Sequence, residues 1–374
     1  MSTMATLTID LTHYCRPCLR RLISQTRSFT TTPTRRKHGP LPVFHPTSSP
    51  PLDALLSTFR TNIFFPSHLI LLQQDLLYRK ANHALLTSDE PATVRLGDEV
   101  LQLLPLDKRR DEPPTRSSFA KVVQLMGESG DWGNMAGFLA GLKVARRKLA
   151  GWQVEKMVRR ANEGGKQGVM HEILRRVEKT GVGLWDVKVC REVMRGAILK
   201  GVQSGWSKEG IERGVKYAEN IWELMWGPRH AEEQKKLGTD PRGRPEILGV
   251  MVLMHAIKAL KLAGGKDEGG VLEKYAEVML KRWENSRGEM VIDEQDWSDV
   301  NYKLSIWAPV WHGMKMARQV VGAGSPLGKK LGEKLSQDLE PLMQKSQAIL
   351  SAHAPEEGMR RGLKMYEDIL QASS

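Results

Sequence analysis

Eight cations between residues 156 and 195 are the side chains here best arranged for binding: Lys156, Arg159, Arg160, Arg175, Arg176, Lys188, Arg191 and Arg195. Lys188, Arg191 and Arg195 fall at i, i+3 and i+7, so a helix holds them on one face. Such a face displaces counterions from phosphate, which makes an RNA backbone the candidate ligand. Reactive groups are worse placed. Cys15-Arg16-Pro17-Cys18 is a CxxC, but the third cysteine is Cys190, so no second pair completes a zinc site. Cys190 lies among Val187, Val189, Val193 and Met194 and is expected to be a small buried hydrophobe. The ten histidines are scattered, with no HExxH, and no GxSxG occurs.

The stretch from Gly322 to Lys330 falls short of a phosphate-binding loop. Ala323 stands where the first glycine belongs, and Lys330 replaces the hydroxyl that holds magnesium. It is expected to be a turn between helices, the second begun by Pro326. Trp297, Trp307 and Trp311 are expected to pack between helices rather than stack on bases. The sequence therefore predicts no catalytic residue, no metal and no cofactor, and a protein that is not an enzyme.

The elements that carry these residues follow from charge and hydropathy. Residues 1–40 hold net charge +6 of the chain's +13, leaving +7 for the rest. Residues 1–37, with Arg20, Arg21 and Arg27 beside Leu19, Leu22 and Ile23, have the composition of a mitochondrial transit peptide, with cleavage expected near Phe29. Residues 38–52 are rich in Pro, Ser and Thr and read as a disordered leader. Beyond them nearly everything reads as helix: an N-terminal region at 53–114, which includes a helix over 91–104, a middle region at 115–226, and a C-terminal region at 245–374. Residues 227–244 are polar and turn-rich and read as an exposed loop. The longest apolar run, Ile247 to Leu262, contains His255, Lys258 and Lys261. It reads as a buried helix, too short and polar to cross a membrane.

Repetition sharpens the fold. Phe119, Trp152 and Trp185 recur every 33 residues, and Lys216-Tyr217-Ala218-Glu219 returns as Lys274-Tyr275-Ala276-Glu277. From Trp152 to Gly181 a helix, a break at Gly164-Gly165, a second helix and a Gly-aliphatic turn follow one another. This pattern resembles the pentatricopeptide and tetratricopeptide superfamily, best over 115–226. The resemblance departs where the usual proline after the second helix is missing. It implies an all-α fold of stacked antiparallel hairpins whose first helices line an RNA-facing surface.

These readings converge on a protein of the mitochondrial matrix, or peripheral on the inner membrane, that supports mitochondrial gene expression. Its expected partner is mitochondrial RNA or the mitoribosome. The alternative is an interaction scaffold for protein subunits of a respiratory complex.

Overall fold

The computed structural model describes residues 40–87, 92–237, 240–352 and 361–373. The expected transit peptide, residues 1–37, and its cysteine pair lie outside them. The described residues fall into two compact units, one within Met1–Val122 and Ala140–Lys148, the other within Val123–Leu139 and Leu149–Ser374. Both are built mainly of α-helix, as the periodicity predicts.

In the first unit, α1 (Pro50–Phe59) runs through a π-turn at Arg60–Phe64. Pro50 and Pro51 fill the first turn, where a missing N–H leaves nothing unsatisfied. The expected disordered leader is corrected here. Leu41 is buried, Pro42 accepts from Arg60 Nε at 2.9 Å, and the Thr47 N–H donates to Asp53 at 3.0 Å. Extended backbone at Leu69 and Arg79 then separates two short helices, α2 (Leu71–Tyr78) and α3 (Lys80–Leu86).

The expected helix over 91–104 is instead a hairpin. Strands β1 (Thr93–Leu96) and β2 (Glu99–Gln102) pair antiparallel, with Val94 opposite Leu101. Gly97 turns the chain at φ 67°. Gly97-Asp98 between two β-prone runs is a two-residue turn signal that outweighs the run's apolar content. Two further helices, α4 (Thr115–Ser129) and α5 (Met135–Val144), contribute residues to both units.

The second unit runs α6 (Gly151–Glu163), α7 (Gln167–Arg175), α8 (Val187–Gln203), α9 (Lys208–Trp226), α10 (Pro228–Leu237), α11 (Pro245–Leu262), α12 (Val271–Lys281), α13 (Trp297–Val321), α14 (Pro326–Lys334), α15 (Glu340–Ala352) and α16 (Arg361–Leu370). Caps legible in the sequence start several of these. Asp186, Ser207, Asp296 and Ser325 each accept a backbone N–H from the first turn that follows. The Gly322–Ser325 turn ends α13 with φ 84° at Gly322 and hands over to Pro326, as expected.

Helix α11 is the centre of this unit. Its residues from Pro245 to Ile257 are all buried, and α8, α9, α12 and α13 pack around it. Apolar on every side, it can be stable only when covered on every side. Each large side chain among Ile247, Leu248, Met251, Leu253 and Ile257 contributes about 1.5–3 kcal/mol by leaving water. Both Lys-Tyr-Ala-Glu segments belong to helices, α9 and α12, that pack on α11 with Ala218 and Ala276 fully buried. The 33-residue spacing has no such counterpart: Phe119 is buried, whereas Trp152 is 46% exposed. Trp283, Trp307 and Trp311 are buried between helices, with the Trp283 and Trp307 rings edge-to-face at 6.3 Å.

The expected loop at 227–244 is also corrected. Residues Pro228–Leu237 form α10, whose His230 and Gln234 are buried. His230 Nδ1 accepts from the Leu184 N–H, and Gln234 Nε2 donates to the Leu184 carbonyl. The segment reads as polar because its apolar contact area is small. It is held by hydrogen bonds to a distant turn, which local patterning does not encode.

Two measurements probe this core. A Cβ at Gly313 would sit 2.9–3.0 Å from the Leu253 backbone, and one at Gly249 would sit 2.7 Å from Val310 Cγ2. Glycine to alanine within a helix ordinarily gains about 0.5–1 kcal/mol. Here forced separation of two helices costs about 1–3 kcal/mol. Gly313→Ala is therefore expected to lower the midpoint of thermal unfolding by a few degrees, read by calorimetry, and an unchanged or raised midpoint would refute the close crossing.

The second concerns pH. His255 and His312 are buried, and burial lowers the pKa of each from 6.5 to about 4, helped by Lys258 and Lys315 respectively. Folded, both stay neutral down to about pH 4; unfolded, both take protons from pH 6.5. Their contribution is thus intact above pH 6.5 and lost as pH falls toward 4, at up to about 1.4 kcal/mol per pH unit for each. Urea unfolding at pH 7 and pH 5 should differ by ~2 kcal/mol per histidine, and His255→Gln should flatten that dependence.

Candidate functional site

The basic residues singled out by sequence divide into two groups in the folded chain. Lys156, Arg159 and Arg160 lie on α6, while Arg175 ends α7 and Arg176 follows it. Arg160, Arg175 and Arg176 are exposed. Their ion pairs are short-range: Arg160 with Glu163 at 3.3 Å, Arg175 with Glu172 at 3.4 Å, and Arg176 with Glu172 at 2.6 Å. Arg159 pairs weakly with Glu155 at 3.9 Å. Exposed pairs of this kind are worth at most about 1 kcal/mol, so a phosphate can take either cation from its carboxylate. Two arginines share Glu172, which leaves local positive charge. That excess discourages protonation of the neighbouring His171, whose pKa is lowered first by burial and then by Arg175.

Lys188, Arg191 and Arg195 do share one face of α8, as their spacing requires. That face looks inward, onto a narrow cleft bounded by α6, α8, α11, α13 and α16. Glu155, Glu192 and Glu246 line it alongside the cations. Lys188 is exposed at the rim, but the Arg191 side chain is only 12% exposed. Arg191 donates to Glu246 from Nε at 3.1 Å and from Nη2 at 2.6 Å, and pairs with Glu289 as well. Arg244 pairs with the same two acids, at 3.2 Å to Glu246. Two guanidinium groups therefore close on a Glu246 carboxylate that has no solvent exposure. Arg361 answers Glu192 in the same way across 169 residues of sequence.

The sequence reading missed Glu155, Glu192, Glu246, Glu289, Arg244 and Arg361 as members of this site. One signal was available. Glu246 is the single acid at the head of the apolar run Ile247–Met254, and an acid in a helix buried all round must have a buried cation. Which cation cannot be read from sequence, because Arg191 lies 55 residues away.

Among the described residues no group of three His, Cys, Asp or Glu is placed to hold a metal ion. No described helix is long and apolar enough to cross a membrane. Cys190 is buried, and burial raises its pKa well above the usual thiol range, so its thiol stays protonated and unreactive. The site has the makings of an ion-paired joint and a binding surface, with no activated nucleophile.

Arg191→Met would strand Glu246 as a buried charge left to Arg244 alone. Losing one partner of a buried pair costs about 3–5 kcal/mol, whereas Arg160→Met at the surface should fall within about 0.5 kcal/mol of wild type. Denaturant titration of the two variants measures the contrast. Adding Glu246→Gln to Arg191→Met should restore part of the stability, and equal stability of the two single variants would contradict a buried pair.

Comparison with known proteins bears on what such a fold serves. Residues 27–368 match the family model described as Mitochondrial ribosomal protein mS27. A Neurospora crassa protein named small ribosomal subunit protein mS27 is 25% identical over 288 residues, covering 72% of this chain and 72% of the relative. The match extends across both units and lends the respiratory-complex alternative no support. The chain belongs to the mitochondrial ribosomal protein mS27 family and is a structural, non-enzymatic protein of the mitochondrion.

Proposed function

We propose that this chain is a component of the small subunit of the mitochondrial ribosome, working in the matrix and supporting translation by holding ribosomal RNA. The observation that carries the reading is the family match over residues 27–368. Residues 1–37 serve as the import segment; their Arg-rich, acid-poor composition suits passage along the membrane potential. The match begins at residue 27, close to the expected cleavage near Phe29.

RNA contact falls to the outward cations of α6 and α7 and to the rim of α8: Lys156, Arg159, Arg160, Arg175, Arg176 and Lys188. Exposed arginines at the ends of short helices can reach successive phosphates without reading bases. The unequal surroundings of Phe119 and Trp152 argue against a repeat-by-repeat base code of the pentatricopeptide kind. The helical hairpins, such as α8 with α9, serve here as a scaffold for backbone contact. Arg191 belongs to the ion pairs inside the cleft and not to this surface.

Sucrose-gradient sedimentation of gently solubilised mitochondria, with antibody detection, tests the reading. The protein should travel with the small ribosomal subunit and move to light fractions after ribonuclease. Replacing Arg160, Arg175 and Arg176 with Glu should leave the fold intact and weaken binding to ribosomal RNA. The salt dependence should flatten by about 0.7–0.9 in logarithmic slope for each phosphate that the variant no longer neutralises. Sedimentation away from ribosomal particles in untreated lysate would overturn the assignment.

A further inference from the structure

Trp226 ends α9 with 59% of its surface exposed, more than any other aromatic residue among those described. Its neighbours hold the ring in one orientation. The Arg242 guanidinium lies over the indole, 4.0 Å from the ring centroid. Trp222, one turn back on α9, meets it at 6.3 Å and 73°. Trp222 in turn meets Tyr275 of α12 edge-on at 5.8 Å, and Tyr275 stacks on His255 of α11 at 5.5 Å. The exposed indole is thus the outer end of an aromatic row rooted in the central helix. A ring with a guanidinium over one face keeps this much exposure only if its other face is open to water.

The surroundings of that face are polar. Arg242 donates to both oxygens of Asp240, at 2.8 and 3.0 Å. Burial works to raise the Asp240 pKa, yet the hydrogen bonds from Arg242 and the charges of Arg242 and Arg282 bring it below the usual range. Two guanidinium groups therefore act on one carboxylate and leave positive charge over. Arg282, next after α12, is exposed and makes no ion pair among the described residues. Glu223, exposed one turn before Trp226, repels a phosphate towards these arginines. No other large apolar side chain is exposed on the described residues of α9 to α12, so the indole is not part of an apolar patch of the kind that docks a protein. An open ring beside a cation matches an unpaired nucleotide, base on the indole and phosphate on the guanidinium. Bases within a duplex are already stacked on one another and do not offer that face.

We propose that the open face of Trp226 stacks a nucleobase of single-stranded RNA, with the adjoining phosphate at Arg282 and with Arg242 fixing the indole from behind. The inference rests on the proposed function only in taking RNA as the ligand, and it uses other elements than the α6 and α7 cations. Stacking accepts any base, so this contact adds affinity for unpaired RNA without a base code.

Binding of labelled strands to the full chain, read by fluorescence anisotropy, tests the proposal. The probes are an oligouridine of about eight nucleotides and a strand of the same length that lacks its bases. Trp226→Ala should weaken binding of the oligouridine about five- to a hundredfold and leave the abasic strand unchanged, while Trp226→Phe keeps most of the affinity. Arg282→Gln should weaken both strands alike and lower the logarithmic salt slope by about 0.7. With 5-iodouridine in the strand, ultraviolet light should form an adduct on the peptide that contains Trp226. Adducts confined to other peptides would overturn the inference. So would equal binding of the two strands by the unaltered chain, which would leave Trp226 to a protein partner. If replacing Arg160, Arg175 and Arg176 with Glu weakens binding while Trp226→Ala does not, the inference fails and the proposed function stands.

Discussion

The near-contact of two helix backbones, α11 and α13, governs the second unit. Gly249 faces Val310 and Gly313 faces Leu253, so neither helix has room for a methyl group at the crossing. With α13 this close, one side of α11 is sealed, and α8, α9 and α12 cover the others. On its other sides α13 carries α14, α15 and α16. Removing the crossing would expose the most apolar helix in the second unit. The cleft owes its shape to the same crossing: Glu246 and Val250 enter from α11, Tyr302, Ser305 and Pro309 from α13. Pro309 also lacks the N–H that would reach the Ser305 carbonyl, so the helix ladder is interrupted at the cleft wall.

Electrostatics then separates two kinds of cation that look alike in the sequence. Burying a charge without a partner costs several kcal/mol, so Arg191 and Arg361, once placed inside, had to meet Glu246, Glu289 and Glu192. Arg160, Arg175 and Arg176 remain in water, where their pairs with Glu163 and Glu172 constrain little. A chain with a body charge of only +7 therefore offers a small outward basic surface and uses other arginines in joints. The outward set suits a polyanion, and the inward set ties helices to one another through Glu246, Glu289 and Glu192.

Much of the fold was legible from local signals. The apolar run of α11, the caps at Asp186, Ser207, Asp296 and Ser325, and the Gly322–Pro326 turn each express a rule that acts within a few residues. Tryptophans 307 and 311 read correctly as packing residues from their apolar neighbours. The failures have equally definite causes. At 93–102 an apolar run hid a turn dipeptide, Gly97-Asp98, and helix periodicity was applied where strand alternation held. At 228–237 polar composition suggested solvent, although His230 and Gln234 hold α10 to Leu184.

The sequence by itself determined the helical class, the buried central helix, the acid-poor leader, the lack of catalytic motifs, and the single face shared by Lys188, Arg191 and Arg195. Spacing along a helix sets a face. Only the tertiary structure decided which way that face points. Direction depends on what packs opposite, and the opposing groups, Glu246 and Arg361, lie 55 and 170 residues from Arg191 in the chain. The free energy that turns Arg191 inward comes from a carboxylate brought near by helix packing, and no local pattern in the sequence records that encounter.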